Sequence, residues 1–148
     1  MKKEFLKTLA MTAVLACIIF ACANNEKDFQ ETLKTHLAAV EGRDLGALMP
    51  TIADSITLIL PNGSSLYTKD EFEKLHVEWF KETKWKWTPS VIKTTVSPSV
   101  CFAYVIYQYD EMDSTGSISP GRKTHLLLIF KKIYGRWLLV HDQNTRIE

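Results

Sequence analysis

Near the end of this 148-residue chain, in "GRWLLVHDQNTRIE", His141 and Asp142 stand side by side with Gln143 and Asn144 behind them. A histidine beside a carboxylate is the raw material of proton transfer. Further back, His36 and His76 each fall among apolar residues at helical spacing, and Asp54 precedes the apolar run "SITLIL". A carboxylate facing an apolar pocket has its pKa raised by desolvation, so Asp54 could act as a general base. A tyrosine such as Tyr104 could then hydrogen-bond a developing enolate. An exposed turn aspartate that caps the start of a strand is the competing reading of Asp54. His36 and His76 also read as hydrogen-bonded core histidines at a pocket rim.

Other chemistries find less support. No His-x-x-x-His or His-x-x-Glu pair is present, so a zinc site would have to come from distant elements, and neither a metal nor a cofactor is expected. "DEMDSTGS" has acidic spacing but lacks the glutamate that closes a calcium loop, and it sits where a hairpin needs a turn. Cys101 has no neighbouring cation in sequence and reads as a small buried residue. A formal charge of +1 with scattered basic residues excludes the footprint of a nucleic-acid binder.

The elements that must position these residues follow a basic, apolar leader. Lys2, Lys3 and Lys7 precede an uncharged run from Thr8 to Ala21, too short to span a bilayer comfortably, as in an export signal. "IIFAC" ends it with a small residue before Cys22, as in the lipobox of bacterial lipoproteins. "VLAC" at Cys17 is the competing box, but it leaves "IIFA" at the new end, whereas Cys22 leads into polar sequence. The expectation is a signal over 1–22, lipidation at Cys22, a tether over 23–27 and one domain over 28–148. That domain would be lipid-anchored in a bacterial envelope and face the periplasm or exterior. Losing three lysines and one glutamate with the signal turns the charge from +1 to −1, so lipid rather than a basic surface would be the anchor. Cys101 would be the mature chain's other thiol, which rules out an internal disulfide.

Within the domain, Phe29, Leu33, Leu37 and Val40 predict a helix from Asn24 to Glu41, with His36 on its stripe and Gly42 as a stop. "RDLGALMP" predicts a short second helix ended by Pro50, and "SITLIL" a strand from Ser55 to Leu60. Thr68 and Glu71 form a capping box ahead of a third helix that ends near Lys81, with Phe72, Leu75, His76 and Trp79 on one face. Four β-rich runs follow, "KWKWTPSVIKTTVS", "VCFAYVIYQYDEM", "RKTHLLLIFKKI" and "GRWLLVHDQNT". This order predicts an α+β domain with helices on one face of a curved antiparallel sheet.

The helical first half, the meander, "CFAY" at Cys101 to Tyr104 and "GRWLLVHDQNT" at Gly135 to Thr145 resemble the nuclear transport factor 2-like superfamily. Its SnoaL-like members and its calcium/calmodulin-dependent kinase II association domains are the branches that the chain is most similar to. The resemblance spans 26–147 and implies a cone with three N-terminal helices packed on a curved antiparallel sheet and a pocket between them. That architecture serves isomerases, dehydratases, ligand binders and assembly modules alike. It also implies that Ile106, Leu128 and Asn144 line the pocket, at positions where association domains carry arginines. Strand alternation would then put Phe102, Tyr104, Ile106, Leu126, Leu128, Phe130, Leu138, Val140, Asp142 and Asn144 inside. His141 would face out with Trp137, Leu139 and Gln143.

Without those arginines the pocket has no fork for a carboxylate or phosphate, so an apolar to weakly polar ligand is expected, held among His36, His76, Trp79, Tyr104, Ile106, Leu128, Asp142 and Asn144. No reaction is assigned. An isomerase or dehydratase using Asp54 is the alternative, although the full constellation of ketosteroid isomerase, a helix tyrosine plus two acids, is not recoverable. A dimerisation or assembly module with a vestigial pocket, filled by Phe102, Tyr104, Phe130 and Trp79, is the further alternative. Exposed aromatics on the convex face imply a homodimer through the sheet.

Overall fold

The computed structural model describes residues 24–147. The leader, Cys17 and Cys22 lie outside them. No helix among the described residues is long and apolar enough to cross a membrane. Among the described residues helix α1 covers 24–41, so residues 24–27, expected as a tether, are helical. Its apolar stripe is buried, and Phe29 meets Phe130 and Trp137 edge-on at 5.6 and 5.8 Å. The left-handed residue that ends α1 is Arg43 (φ +55°), not Gly42. Its guanidinium lies 3.8 Å over the Trp85 ring and donates to the Trp85 carbonyl, contacts that offset the strain.

Asp44 caps α2 (Leu45–Leu48) by accepting from the Ala47 N–H. A 3₁₀ turn, Met49–Thr51, takes in Pro50 and delivers the chain into β1 (Ile52–Ile59). A turn with Gly63 at φ +87° returns it as β2 (Ser65–Thr68), a strand too short to show a period of two. The capping box forms as expected: Thr68 accepts from the Glu71 N–H, and Glu71 accepts from the Thr68 N–H. It opens α3 (Lys69–Lys81), which buries Phe72 and His76.

Strands β3 (Trp85–Thr95), β4 (Val100–Met112), β5 (Ile118–Ile133) and β6 (Arg136–Arg146) make the expected antiparallel meander. The sheet order is β2-β1-β6-β5-β4-β3. Pro89 is tolerated because β3 is an edge strand.

The fold is therefore α+β with a curved, mainly antiparallel sheet, and two expectations are corrected. The third helix follows two strands, β1 and β2, where one was expected, so it is not N-terminal to the whole sheet. The pairing of β1 with β6 is parallel, with Thr57 opposite His141 and Leu58 opposite Asp142.

Candidate functional site

Which side chains face the helices is decided by one irregularity. Along β5 the even residues Leu126, Leu128 and Phe130 point inward, as expected. Opposite them β6 breaks register: His141 pairs with Ile129 and Leu139 with Phe130, so Val140 is an extra residue. This β-bulge flips the alternation. Trp137 and Leu139 are buried on the inner face before it, and Asp142 and Asn144 face inward after it. Leu138 and Val140, expected inside, line a groove on the other face with Ile52 and Ile133. His141 and Gln143 share the outer side, Nε2 to Oε1 3.4 Å. The adjacent histidine and aspartate thus diverge.

On β4 the expected alternation is inverted. Cys101, Ala103, Val105 and Tyr107 are buried beneath the helices, whereas Phe102 is exposed. Tyr104 and Ile106 therefore lie on the outer face, where the Tyr104 hydroxyl meets His125 Nδ1 at 2.6 Å. "CFAYVIYQY" is apolar at both parities, which hid the register. The available signal was size: the small Cys101 and Ala103 suit the face covered by helices, and the bulky Phe102 and Tyr104 do not.

Between the helices and the sheet lies a cavity of ≈ 360 Å³. Val40, Leu58, Leu60, Leu75 and Leu126 supply apolar wall, and Trp79, Trp87, Tyr107 and Tyr109 supply aromatic wall. Pro61, His36, His76, Asp142, Asn144 and Arg122 complete the lining. Of the residues singled out from sequence, His36, His76, Trp79, Asp142 and Asn144 are brought together here. Leu128 points inward but is sealed in the core, and Tyr104 and Ile106 are outside. Asp54 is outside as well. Its side chain is exposed and 4.0 Å from Lys69, on the stretch between Ile52 and Thr57 where β1 loses regular pairing with β6. Tyr107, Tyr109, Trp87 and Arg122 were not anticipated from sequence.

The polar groups are fixed by a short network. Asn144 Nδ2 donates to the Ile59 carbonyl (3.0 Å) and to Asp142 Oδ1 (2.8 Å), and its Oδ1 accepts from the Tyr107 hydroxyl at 3.0 Å. The parallel β1–β6 pairing places the Ile59 carbonyl within reach. Burial raises the Asp142 carboxyl to about 7 despite the lowering effect of the Asn144 bond. Burial also pushes the Tyr107 hydroxyl up.

Both histidines are held neutral. Burial, then repulsion from His76, lowers His36 to about 3; burial lowers His76 to about 4, although the Phe72 carbonyl opposes it. Their tautomers follow from their partners. Thr51 spends its hydroxyl proton on the Leu48 carbonyl (2.7 Å), so Thr51 Oγ1 accepts from His36 Nδ1–H at 2.9 Å. His76 Nδ1–H donates to the Phe72 carbonyl at 2.8 Å. Each ring keeps Nε2 as a lone-pair acceptor.

At the mouth, Arg122 lies 5.0 Å over the Tyr109 ring. The backbone comes unusually close there, since a Cβ on Gly121 would sit 1.9 Å from the Tyr109 carbonyl oxygen. Among the described residues no cluster of three His, Cys, Asp or Glu side chains could hold a metal ion. Chemically, the site can enclose a small apolar molecule, hydrogen-bond it, and offer one carboxyl group that titrates near neutrality.

The fold has solved counterparts. A nuclear transport factor 2-like protein with a cystatin-like fold from Novosphingobium aromaticivorans superposes with a TM-score of 0.73 at 13% identity, covering 93% of this chain and 90% of that one. A proposed dehydratase of the nuclear transport factor 2-like family from Streptomyces avermitilis gives 0.72 at 11%, covering 85% and 99%. A ketosteroid isomerase-like protein from Erwinia carotovora gives 0.67 at 18%, covering 80% and 93%. At these identities the likeness is one of fold. No curated protein matches the chain. A family model does, over residues 30–144, a span that runs from α1 to the end of the Asp142–Asn144 network, and the chain belongs to the family of SnoaL-like domains.

Proposed function

We propose that this is an envelope-anchored domain that binds a small, largely apolar, uncharged molecule inside the cone. The observation that carries this reading is the ≈ 360 Å³ cavity, whose wall is apolar and aromatic and whose buried polar groups are neutral histidines, a tyrosine, an amide and a carboxyl raised to about 7. Arg122 is the sole cation in the lining and stands at the mouth, so no buried fork awaits a dianion. Naphthalene-sized neutral probes are expected to raise the melting temperature, and phthalate or inorganic phosphate to leave it unchanged. The opposite ranking would overturn the reading. The cavity is open, which weighs against an assembly module with a vestigial pocket.

A second reading is favoured by Asp142. It is the one carboxyl in the lining and is tied through Asn144 to the Tyr107 hydroxyl. This is an arrangement for proton transfer of the isomerase or dehydratase type, with Asp142 in the part expected of Asp54. The carboxylate would take a proton from the carbon next to a carbonyl, breaking C–H and forming O–H, and return it. Structural neighbours designated ketosteroid isomerase-like and proposed dehydratase are consistent with that chemistry. The protein should then catalyse deuterium exchange into 2-tetralone, observed by NMR, and Asp142→Asn should abolish it. Exchange that persists in the variant would remove Asp142 from the mechanism.

The domain is further proposed to be lipidated at Cys22, to face the periplasm or exterior, and to pair with a second copy through the outer sheet face. Phe102 at 37% exposure supports the pairing, beside Tyr104 and Ile106 on the same face.

A further inference from the structure

The most deeply buried polar side chains of the cavity wall are not balanced between donors and acceptors. The polar side chains of the wall with less than a tenth of their surface exposed are His36, His76, Trp87, Tyr107 and Asp142. His36 and His76 have spent their Nδ1–H groups on Thr51 and on the Phe72 carbonyl. Tyr107 has spent its O–H on Asn144, and both amide hydrogens of Asn144 are taken by Ile59 and Asp142. At this deep end, once Asp142 is ionised, what remains to meet a ligand is mainly a set of lone pairs, Nε2 of both histidines and the second oxygen of Asp142, while the donors of Trp79, Tyr109 and Arg122 belong to less buried parts of the wall. With Asp142 ionised, the Trp87 indole is the one donor among these deep side chains without a partner among the described residues.

We infer that the cavity selects its ligand by hydrogen-bond donors, taking an apolar ring or chain that carries hydroxyl groups and rejecting the same skeleton once those hydroxyls are capped. This rests on the ligand-binding reading of the cavity. A buried acceptor that loses water and gains no donor is left unpaired, and sites of this kind discriminate strongly against the analogue that cannot donate. The histidines cannot rotate to become donors without giving up the Thr51 and Phe72 bonds, so the selectivity is built into the core. An ether at this deep end, which offers acceptors alone, would face lone pair against lone pair.

The test uses a matched pair, 2-naphthol and 2-methoxynaphthalene, titrated into the protein at about pH 8, where Asp142 is a carboxylate, with tryptophan fluorescence as the readout. 2-Naphthol is expected to bind at least about tenfold more tightly than its methyl ether. His76→Phe keeps an aromatic ring but removes an acceptor, and is expected to narrow that ratio mainly by weakening 2-naphthol. Should that variant fail to fold, the wild-type pair decides alone. Equal affinities, or tighter binding of the ether, would overturn the donor rule while leaving a ligand-binding cavity in place. Binding of neither compound would overturn both.

Discussion

At the scale of single residues, Asp142 is the group whose surroundings most change its chemistry. Its ordinary carboxyl value of 3.8 rises to about 7 in the fold, so between those values the folded chain holds a proton that the unfolded chain has released. Stability therefore falls as pH rises through that window, by at most about 4 kcal/mol at about 1.4 kcal/mol per pH unit. Asp142→Asn removes this effect. Denaturant melts should show the variant gaining on the wild type from about pH 4 to about pH 7 and holding a constant lead above, whereas a gap independent of pH would contradict the assignment. The histidines act in the opposite sense. Unfolded imidazoles take protons below 6.5, and the folded rings refuse them down to about 3 and 4, so their contribution is complete above 6.5 and is lost as the solution is acidified. The inward placement of His36, His76 and Trp79 along the cavity was legible because helical spacing fixes a face unambiguously. The facing of Asp54 was misread because β1 loses regular pairing with β6 there, and a parity argument needs an unbroken ladder.

At the scale of elements, one inserted residue governs the site. Without the bulge at Val140, either Leu139 or Asp142 would have to leave the inner face; with it, β6 contributes core upstream and polar lining downstream. Nothing in "GRWLLVHDQNT" marks the bulge, since both faces of the strand are apolar up to His141. The capping box of α3 was legible because it is a local hydrogen-bond pattern. The β5–β6 turn makes an unusual choice: Tyr134 sits at φ +48° ahead of Gly135 at φ +79°, with Ile133 and Arg136 paired on either side. Asparagine is the residue that tolerates the first of these positions, and the tyrosine is 99% exposed, with little packing to repay its strain. Tyr134→Asn is therefore expected to stabilise the domain by roughly 0.5–1 kcal/mol, raising the melting midpoint by a few degrees without changing probe affinity. A lowered midpoint would show that the tyrosine makes a contact that matters.

At the scale of the whole molecule, the α+β class, the meander and the family resemblance could be read from the sequence, because each rests on local periodicity and on motifs. The parallel β1–β6 pairing could not, because it joins strands far apart in sequence and leaves no period of its own. That pairing brings the Ile59 carbonyl to Asn144 and so organises the polar side of the cavity. The central claim is that this cavity is occupied in life by a small, largely apolar molecule, and native mass spectrometry of the protein purified from its own host addresses it together with subunit count and acylation. The spectrum should show a dimer of lipidated chains, each carrying one noncovalent molecule of a few hundred daltons. Leu126→Trp, which puts an indole into the cavity from β5, should lose that added mass while still folding. Wild-type protein that is free of any bound molecule, with a spectrum indistinguishable from that of Leu126→Trp, would contradict the account.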